Sequence, residues 1–359
     1  MPSPTRRGFL RAAAGATPLA ARAGVPDWLA AAETTVATQN VGLGVRLYDL
    51  VSAERIDPDV VAERFARLRR NAPGERMAAL ASTLAAHDPA VVGVQEAALV
   101  ERDGEVVADF LDALVAGFED AGADYRVAAV SANADVTLPA STGNGTVGVR
   151  LLDRDALLVR DDVAVGGTRS GTYAVNASTV VDGERFTATR GYCFADLRVR
   201  GVDVTAGATH LASANATIRR AQAGQLRERL PDTGATVLLA DLNSRPESPS
   251  PSAYGILGER LGDAWAVADG AGPTCCQFAH LGNERSFLSR RVDYVLVGGP
   301  ATPLHVSRTL TDPEARIAVG DREVWPADHA GVVARLRVGP ALSDPLGVAR
   351  AVAARLSGA

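Results

Sequence analysis

An α/β fold is predicted: a four-layer α/β/β/α sandwich in which two mixed β-sheets pack face to face with helices on their outer faces. Three observations predict it. First, the apolar runs Thr35–Gln39, Ala90–Val94, Val202–Ala208, Thr236–Ala240 and Val292–Val297 read as buried strands. Second, the elements fall into a strand–helix half, a hairpin and a second strand–helix half. That order stacks two sheets and leaves each an outer face for helices. Third, polar residues stand at the strand tips along nearly the whole chain, so the 359 residues read as one large domain rather than two.

The elements follow in order. Thr35–Val41 is the first strand, with Asn40 near its end. Asp57-Pro58 opens a helix whose apolar positions are Val60, Val61, Phe65 and Leu68. A second helix over Glu75–His87 carries Met77, Leu80 and Leu84 on one face, and His87-Asp88-Pro89 stops it before the strand Ala90–Val94. The pattern over Val106–Ala121 predicts an amphipathic helix. Tyr125–Val130, Val147–Leu152 and Ala156–Val159 read as three strands, and the glycine-containing stretch Gly166–Glu184 as a hairpin or long loop. Phe194–Val199 and Val202–Ala208 form a hairpin through Arg200-Gly201. Asn215–Leu230 is a helix, Thr236–Ala240 a strand, and Ser248–Leu257 a helix. Val292–Val297, His305–Leu310 and Gly331–Leu336 close the fold.

The strand tips carry Gln39-Asn40, Gln95-Glu96, Thr209-His210, Asp241-Leu242-Asn243, Arg291-Val292-Asp293 and Asp328-His329. A fold has little use for carboxylates, amides and imidazoles there, whereas a metal-assisted hydrolytic site needs them. This ordered set resembles the endonuclease/exonuclease/phosphatase superfamily, the DNase I-like enzymes, from about Thr35 to Arg337. The Pro273–Gln277 stretch (Pro-Thr-Cys-Cys-Gln) and Ser289–Val297 resemble an exported prokaryotic branch of it. The 56-residue separation of Asn40 and Glu96 exceeds the family's usual spacing, and the helix opened by Pro58 reads as an insertion near the site.

The resemblance implies roles. Glu96 is the expected metal ligand, with Asn40 and Asp328 on the metal side. Asp241 is the water-orienting base, and Asn243 holds the phosphate or the water. Asp293 orients His329, whose other nitrogen faces a phosphoryl oxygen. His210 donates to the phosphate or the leaving group. Hard cations take carboxylate and amide oxygens, so magnesium, or manganese, is the expected ion. Arg190 and Arg154 are candidates to bind the substrate phosphate, with a structural salt bridge as the other reading of each.

A net charge of −5 argues against a dedicated nucleic-acid binder, although Arg154, Arg190, Arg285, Arg290 and Arg291 could line a local cleft. All 37 basic residues are arginine, which reads as coding bias. Thr5-Arg6-Arg7-Gly8-Phe9-Leu10 and the alanine-rich stretch after it read as a twin-arginine export signal. Residues 1–32 are therefore expected to be a signal segment, 33–338 the catalytic domain and 339–359 a tail. The export signal predicts a secreted or cell-surface protein. Three cysteines are too few for a disulfide framework. On a strand Cys275 and Cys276 would face opposite sides, so a link from Cys193 to one of them and three buried thiols both fit. The expected function is an exported, magnesium-dependent phosphoesterase, monomeric, that hydrolyses a phosphodiester or phosphomonoester by in-line attack of water. A DNase I-like endonuclease and a catalytically silent binding protein are the alternatives.

Overall fold

The computed structural model describes residues 31–45, 56–181, 183–268, 270 and 272–339. The twin-arginine motif and nearly all of the 339–359 tail lie outside them. Two large mixed sheets form the centre. The first runs β15 (Ala301–Arg308), β18 (Val332–Val338), β1 (Ala32–Asn40), β2 (Val91–Gln95), β6 (Gly145–Arg160), β3 (Leu99–Arg102) and β4 (Glu105–Asp109), and β5 (Tyr125–Thr142) also pairs with β6. The second runs β13 (Gly262–Asp263), β14 (Asp293–Gly298), β12 (Ala235–Asp241), β11 (Val202–His210), β10 (Gly191–Val199) and β7 (Ala164–Thr172). Two small hairpins, β8–β9 (Ala177–Val181, Glu184–Ala188) and β16–β17 (Ile317–Val319, Arg322–Val324), stand apart.

Strand alternation builds the layers. Successive side chains point to opposite faces, so a strand between two packed layers must be apolar at every position. Val36, Val91, Leu157, Leu239 and Val295 meet in the core between the sheets. Their neighbours Ala37, Val92 and Leu158 face outward beneath helices α1 (Pro58–Arg70), α2 (Pro73–Ala85) and α3 (Phe110–Asp120). Leu238 and Leu296 face the other way, beneath α4 (Ala216–Arg227) and α5 (Ala253–Gly258). The sheets approach closely where β2 has Gly93, since a Cβ there would lie 2.4 Å from that of Leu239.

The helix boundaries have local causes. Asp57 accepts a hydrogen bond from the Asp59 amide, and Pro58 fills the first turn of α1, where its missing donor costs nothing. Ser252 caps α5 by accepting from the Gly255 amide, so the helix expected from Ser248 begins only at Ala253. The helix expected over Val106–Ala121 is divided. Glu105–Asp109 pairs with β3 as β4, and Asp109 then caps α3 by accepting from the Leu111 and Asp112 amides. Val106 and Val107 are β-branched and exposed, which suits an edge strand better than a helix. The three strands expected between Tyr125 and Val159 are one long hairpin, β5–β6, with bulges at Val127/Ala129 and Ala132/Asp135. Gly166–Glu184 supplies part of β7, which pairs with β10, and then β8.

Candidate active site

The register of the strands gathers the site. β1 and β2 are parallel, with Asn40 opposite Gln95. β11 and β12 are parallel, with His210 opposite Asp241, and Asp241 also faces Asp293 at the start of β14. Five strand ends therefore open on one pole of the sandwich. Asp328 and His329 reach it just before β18, where Gln39 Nε2 donates to the His329 carbonyl at 3.2 Å.

A hydrogen bond across the seam joins the two sheets: Asn40 Nδ2 donates to Asp241 Oδ2 at 3.1 Å. The same nitrogen lies 3.4 Å from Glu96 Oε1, and the Leu43 amide donates to Glu96 Oε2 at 3.0 Å. Glu96 itself has a positive φ of 59°, which turns it back toward the loop after β1. His329 Nδ1 donates to Asp293 Oδ2 at 2.9 Å and lies 3.9 Å from Asp241 Oδ2. Asn243, with φ of 47°, returns to the site: its amide donates to Asp241 Oδ1 at 2.8 Å. Its Nδ2 reaches His210 Nε2 and the Leu211 carbonyl, both at 3.0 Å. His210 Nε2 also lies 3.4 Å from Asp241 Oδ2.

Burial and neighbouring charge set the protonation states. Burial, then Asp293, pushes the Asp241 carboxyl up to about 7. Burial alone would lower His329, but Asp293, with Asp328 and Asp241, outweighs it and holds the imidazole well above its ordinary range. His210 goes the other way, depressed by burial and then by the positive charges of Arg190 and His329. It is therefore neutral near pH 7. With Asn243 Nδ2 donating to its Nε2, its proton sits on Nδ1, a buried nitrogen with no hydrogen-bond partner in the described protein. Glu96 is raised by burial and then by Asp328 and Asp153.

These residues fit a hard cation. Asp328 Oδ1 is buried without a hydrogen-bond partner among the described residues, and it crowds Glu96. Gly42, with φ of +63°, leaves the space into which Oδ1 projects, since a Cβ there would lie 2.2 Å from it. Closely set, under-satisfied carboxylates are stabilised by a divalent ion. Asp241, Asp293 and His329 also cluster tightly enough for a metal, but there the imidazole already donates to Asp293.

Several side chains beside the candidate site, Asp153, Asp155 and Arg76, were not among the expected site residues. β6 places Asp153 and Asp155 two residues apart, hence on one face, and both are buried. Arg190 Nη1 donates to Asp153 Oδ2 at 2.5 Å. Burial opposes its charge, but Asp153, Asp155, Glu96 and Asp241 outweigh that and raise it, which sets Arg190 on the site side. Arg154 lies between the two aspartates, so the same alternation turns it away. Its Nε donates to the Ala97 carbonyl at 2.8 Å and its guanidinium pairs with Asp109. The expectation that Arg154 meets substrate is corrected accordingly. Arg76 on α2 is fully buried below the site. It donates to the carbonyls of Val41, Gly42 and Pro326, and so ties the loop after β1 to the segment leading to Asp328. Burial lowers its pKa to about 10, with Asp328 and Glu96 pulling it back up. The signal for Arg76 was available, because it stands four residues before Leu80 in the apolar stripe of α2.

The cysteines also differ from expectation. Cys193 is free and buried between the sheets. Cys275 and Cys276 are bonded to each other across a cis peptide, in a segment held by isolated bridges rather than a regular strand. Strand alternation does not apply there.

Residues 37–329 match the model of the Endonuclease/Exonuclease/phosphatase family. The chain belongs to this family. Endonuclease/exonuclease/phosphatase members are hydrolases that act on phosphoester bonds. Among curated proteins, none matches the sequence. The fold is similar to that of an endonuclease/exonuclease/phosphatase family protein from Bacteroides thetaiotaomicron, at 16% identity and TM-score 0.56, over 86% of this chain and 99% of that one. It is also similar to a mannosyl-6-phosphatase of Bacteroides thetaiotaomicron (14% identity, TM-score 0.55, 84% and 99% of the two chains). A truncated TDP2 of Caenorhabditis elegans is a third such structure (16%, TM-score 0.50, 85% and 98%). No helix among the described residues is long and apolar enough to cross a membrane.

Proposed function

We propose that this protein is an exported, metal-dependent phosphoesterase that hydrolyses a phosphodiester or phosphomonoester by in-line attack of water. The observation that carries the reading is the Asn40–Asp241 hydrogen bond across the seam, which brings the Glu96 side and the Asp241–Asp293–His329 side together. A silent binding protein would have no reason to keep so many buried, pKa-perturbed groups converging on one pole.

In this reading the ionised Asp241 carboxylate accepts a proton from the attacking water, and Asn243 fixes the carboxylate through its backbone amide. His329, charged and oriented by Asp293, presents Nε2–H to a phosphoryl oxygen as negative charge builds on it. Neutral His210 sits against Asn243 and Asp241 on the other side and holds the Asn243 side chain in place beside the phosphate. Arg190, held by Asp153, faces the same charge. Glu96 and Asp328, with Asn40 beside them, would hold magnesium or manganese. When bound there, such an ion would supply positive charge toward the phosphoryl and leaving oxygens.

One observation favours a nuclease as the second reading. Phe278 and Phe287 stack at 4.4 Å, both exposed, on the segment that follows Cys276 beside His329, and Arg285 lies over Phe287. Bases stack on such surfaces. Purified protein with magnesium is expected to release nitrophenol from bis-nitrophenyl phosphate. Parallel assays on DNA and on a sugar phosphate separate the two readings. Wild-type turnover that survives exhaustive chelation would rule out the metal-dependent mechanism. Export rests on the twin-arginine motif. Replacing Arg6-Arg7 with lysines is expected to leave the protein in the cytoplasm of a host with that pathway.

A further inference from the structure

The Cys275–Cys276 pair has no part in the hydrolysis described above, yet it borders it. Cys276 Sγ lies 3.8 Å from His329 Nε2. One ligand atom from each of Cys275, Cys276 and His329 can be chosen so that all three lie within 4.8 Å of one another. Backbone hydrogen bonds hold the two segments side by side. The Ala330 amide donates to the Thr274 carbonyl and the Gln277 amide to the Asp328 carbonyl, both at 2.8 Å.

We propose that, with the disulfide open, Cys275, Cys276 and His329 form a binding site for a thiophilic divalent cation such as zinc, and that the bound cation withdraws His329 from hydrolysis. The second half rests on the role given to His329 above.

Zinc–sulfur bonds of about 2.3 Å and zinc–nitrogen bonds of about 2.0–2.1 Å set tetrahedral ligand separations of roughly 3.6 Å. The Cys276–His329 separation is already close to that value. Zinc-bound histidines usually donate their other ring nitrogen to a carboxylate, and His329 Nδ1 already donates to Asp293. Arg290 Nη2 lies 3.2 Å from Cys275 Sγ and 3.1 Å from Cys276 Sγ, where a cationic donor favours thiolates. The Nε2 that would bind zinc is the atom that faces a phosphoryl oxygen during hydrolysis, so the two uses exclude each other. Opening the disulfide takes two electrons and two protons: two thiols supply both and become a disulfide, whereas a phosphine supplies the electrons and becomes its oxide, with water giving the oxygen and the protons. The cation then displaces both thiol protons, and the Nε2 proton when the ring is charged.

The test uses the full chain in saturating magnesium, oxidised or reduced with a water-soluble phosphine. Zinc uptake is followed against a chromophoric chelator, and cobalt is used as the spectroscopic probe. Reduced protein is expected to take up one equivalent more zinc than oxidised protein. It alone should show thiolate-to-cobalt charge-transfer absorption. C275A/C276A should lack both signals, and H329A should bind at least about tenfold more weakly. If the double variant does not fold, wild-type protein reduced and carboxamidomethylated in the native state replaces it. Equal uptake in the two redox states, or extra uptake surviving thiol loss, overturns the site. On bis-nitrophenyl phosphate, the extra equivalent should lower turnover of reduced protein at least tenfold, and reoxidation should restore it. Full turnover with the cation bound refutes the inhibitory half. Protein that binds the extra zinc but hydrolyses neither the diester, DNA nor a sugar phosphate in any state confirms the site and defeats the hydrolase reading, and with it the inhibitory half.

Discussion

In the proposed mechanism Asp241 carries the heaviest chemical demand, because burial beside Asp293 makes it a poor anion. A nearby cation favours the charged form and moves the carboxyl below about 7. Activity is therefore expected to rise with pH through an ionisation at or below that value, and the D241N substitution should remove this limb from the pH–rate profile. It should also lower kcat by about 10²–10⁴-fold, the usual contribution of a positioned base. Metal binding has a linked signature. Burial and Asp328 raise Glu96, so a cation must displace its proton more often as the solution becomes acidic. Magnesium affinity should fall with falling pH, and calorimetry in two buffers of different ionisation enthalpy should detect proton release. Binding with no proton release in slightly acidic buffer would argue against Glu96 as ligand. Arg154 and Arg190 provide a contrast. R154A should lower thermal stability and leave KM unchanged, while R190A should raise KM or lower kcat. Equal kinetic effects would contradict their placement on opposite sides of the sheet.

At the scale of elements, α2 both covers the first sheet and braces the site. Leu80 is fully buried against that sheet, and L80A should cost about 2–5 kcal/mol in urea unfolding without weakening magnesium binding. Arg76, one helical turn earlier, should behave differently. Truncating a buried, hydrogen-bonded cation costs about 3–5 kcal/mol, and R76A should in addition weaken magnesium binding, because it frees the loops bearing Gly42 and Asp328. The sequence shows how much of this can be read in advance. Core strands are legible because both faces are buried and the runs stay apolar, as in Ala235–Asp241. The hairpins β8–β9 and β16–β17 are not, since their short strands are mostly polar or exposed and lie off the two large sheets. Within the site, Asn40, Glu96, Asp241, Asp293 and His329 stand out because each stands at or beside one end of an apolar run, the first three after it and the last two before it. Asp153 and Asp155 are hidden inside a strand, and only the period-two rule, applied to Leu-Leu-Asp-Arg-Asp, exposes them.

At the scale of the whole molecule, the site exists only where the two sheets meet, and its hydrogen bonds reach across that seam through Asn40 and Gln95. β1 enters at the opposite pole, where Ala32 pairs with Val338, and runs nine residues to reach Asn40. At ~3.3 Å per residue, that sets Ala32 and Val338 roughly 25–30 Å from the candidate site. Both therefore lie side by side on the side facing away from substrate. A fusion partner, an affinity tag or a surface attachment joined directly at Ala32 or Val338 would leave the reactive face open. Immobilising the protein through Ala32 and Val338 at once would present every molecule to its substrate in the same orientation.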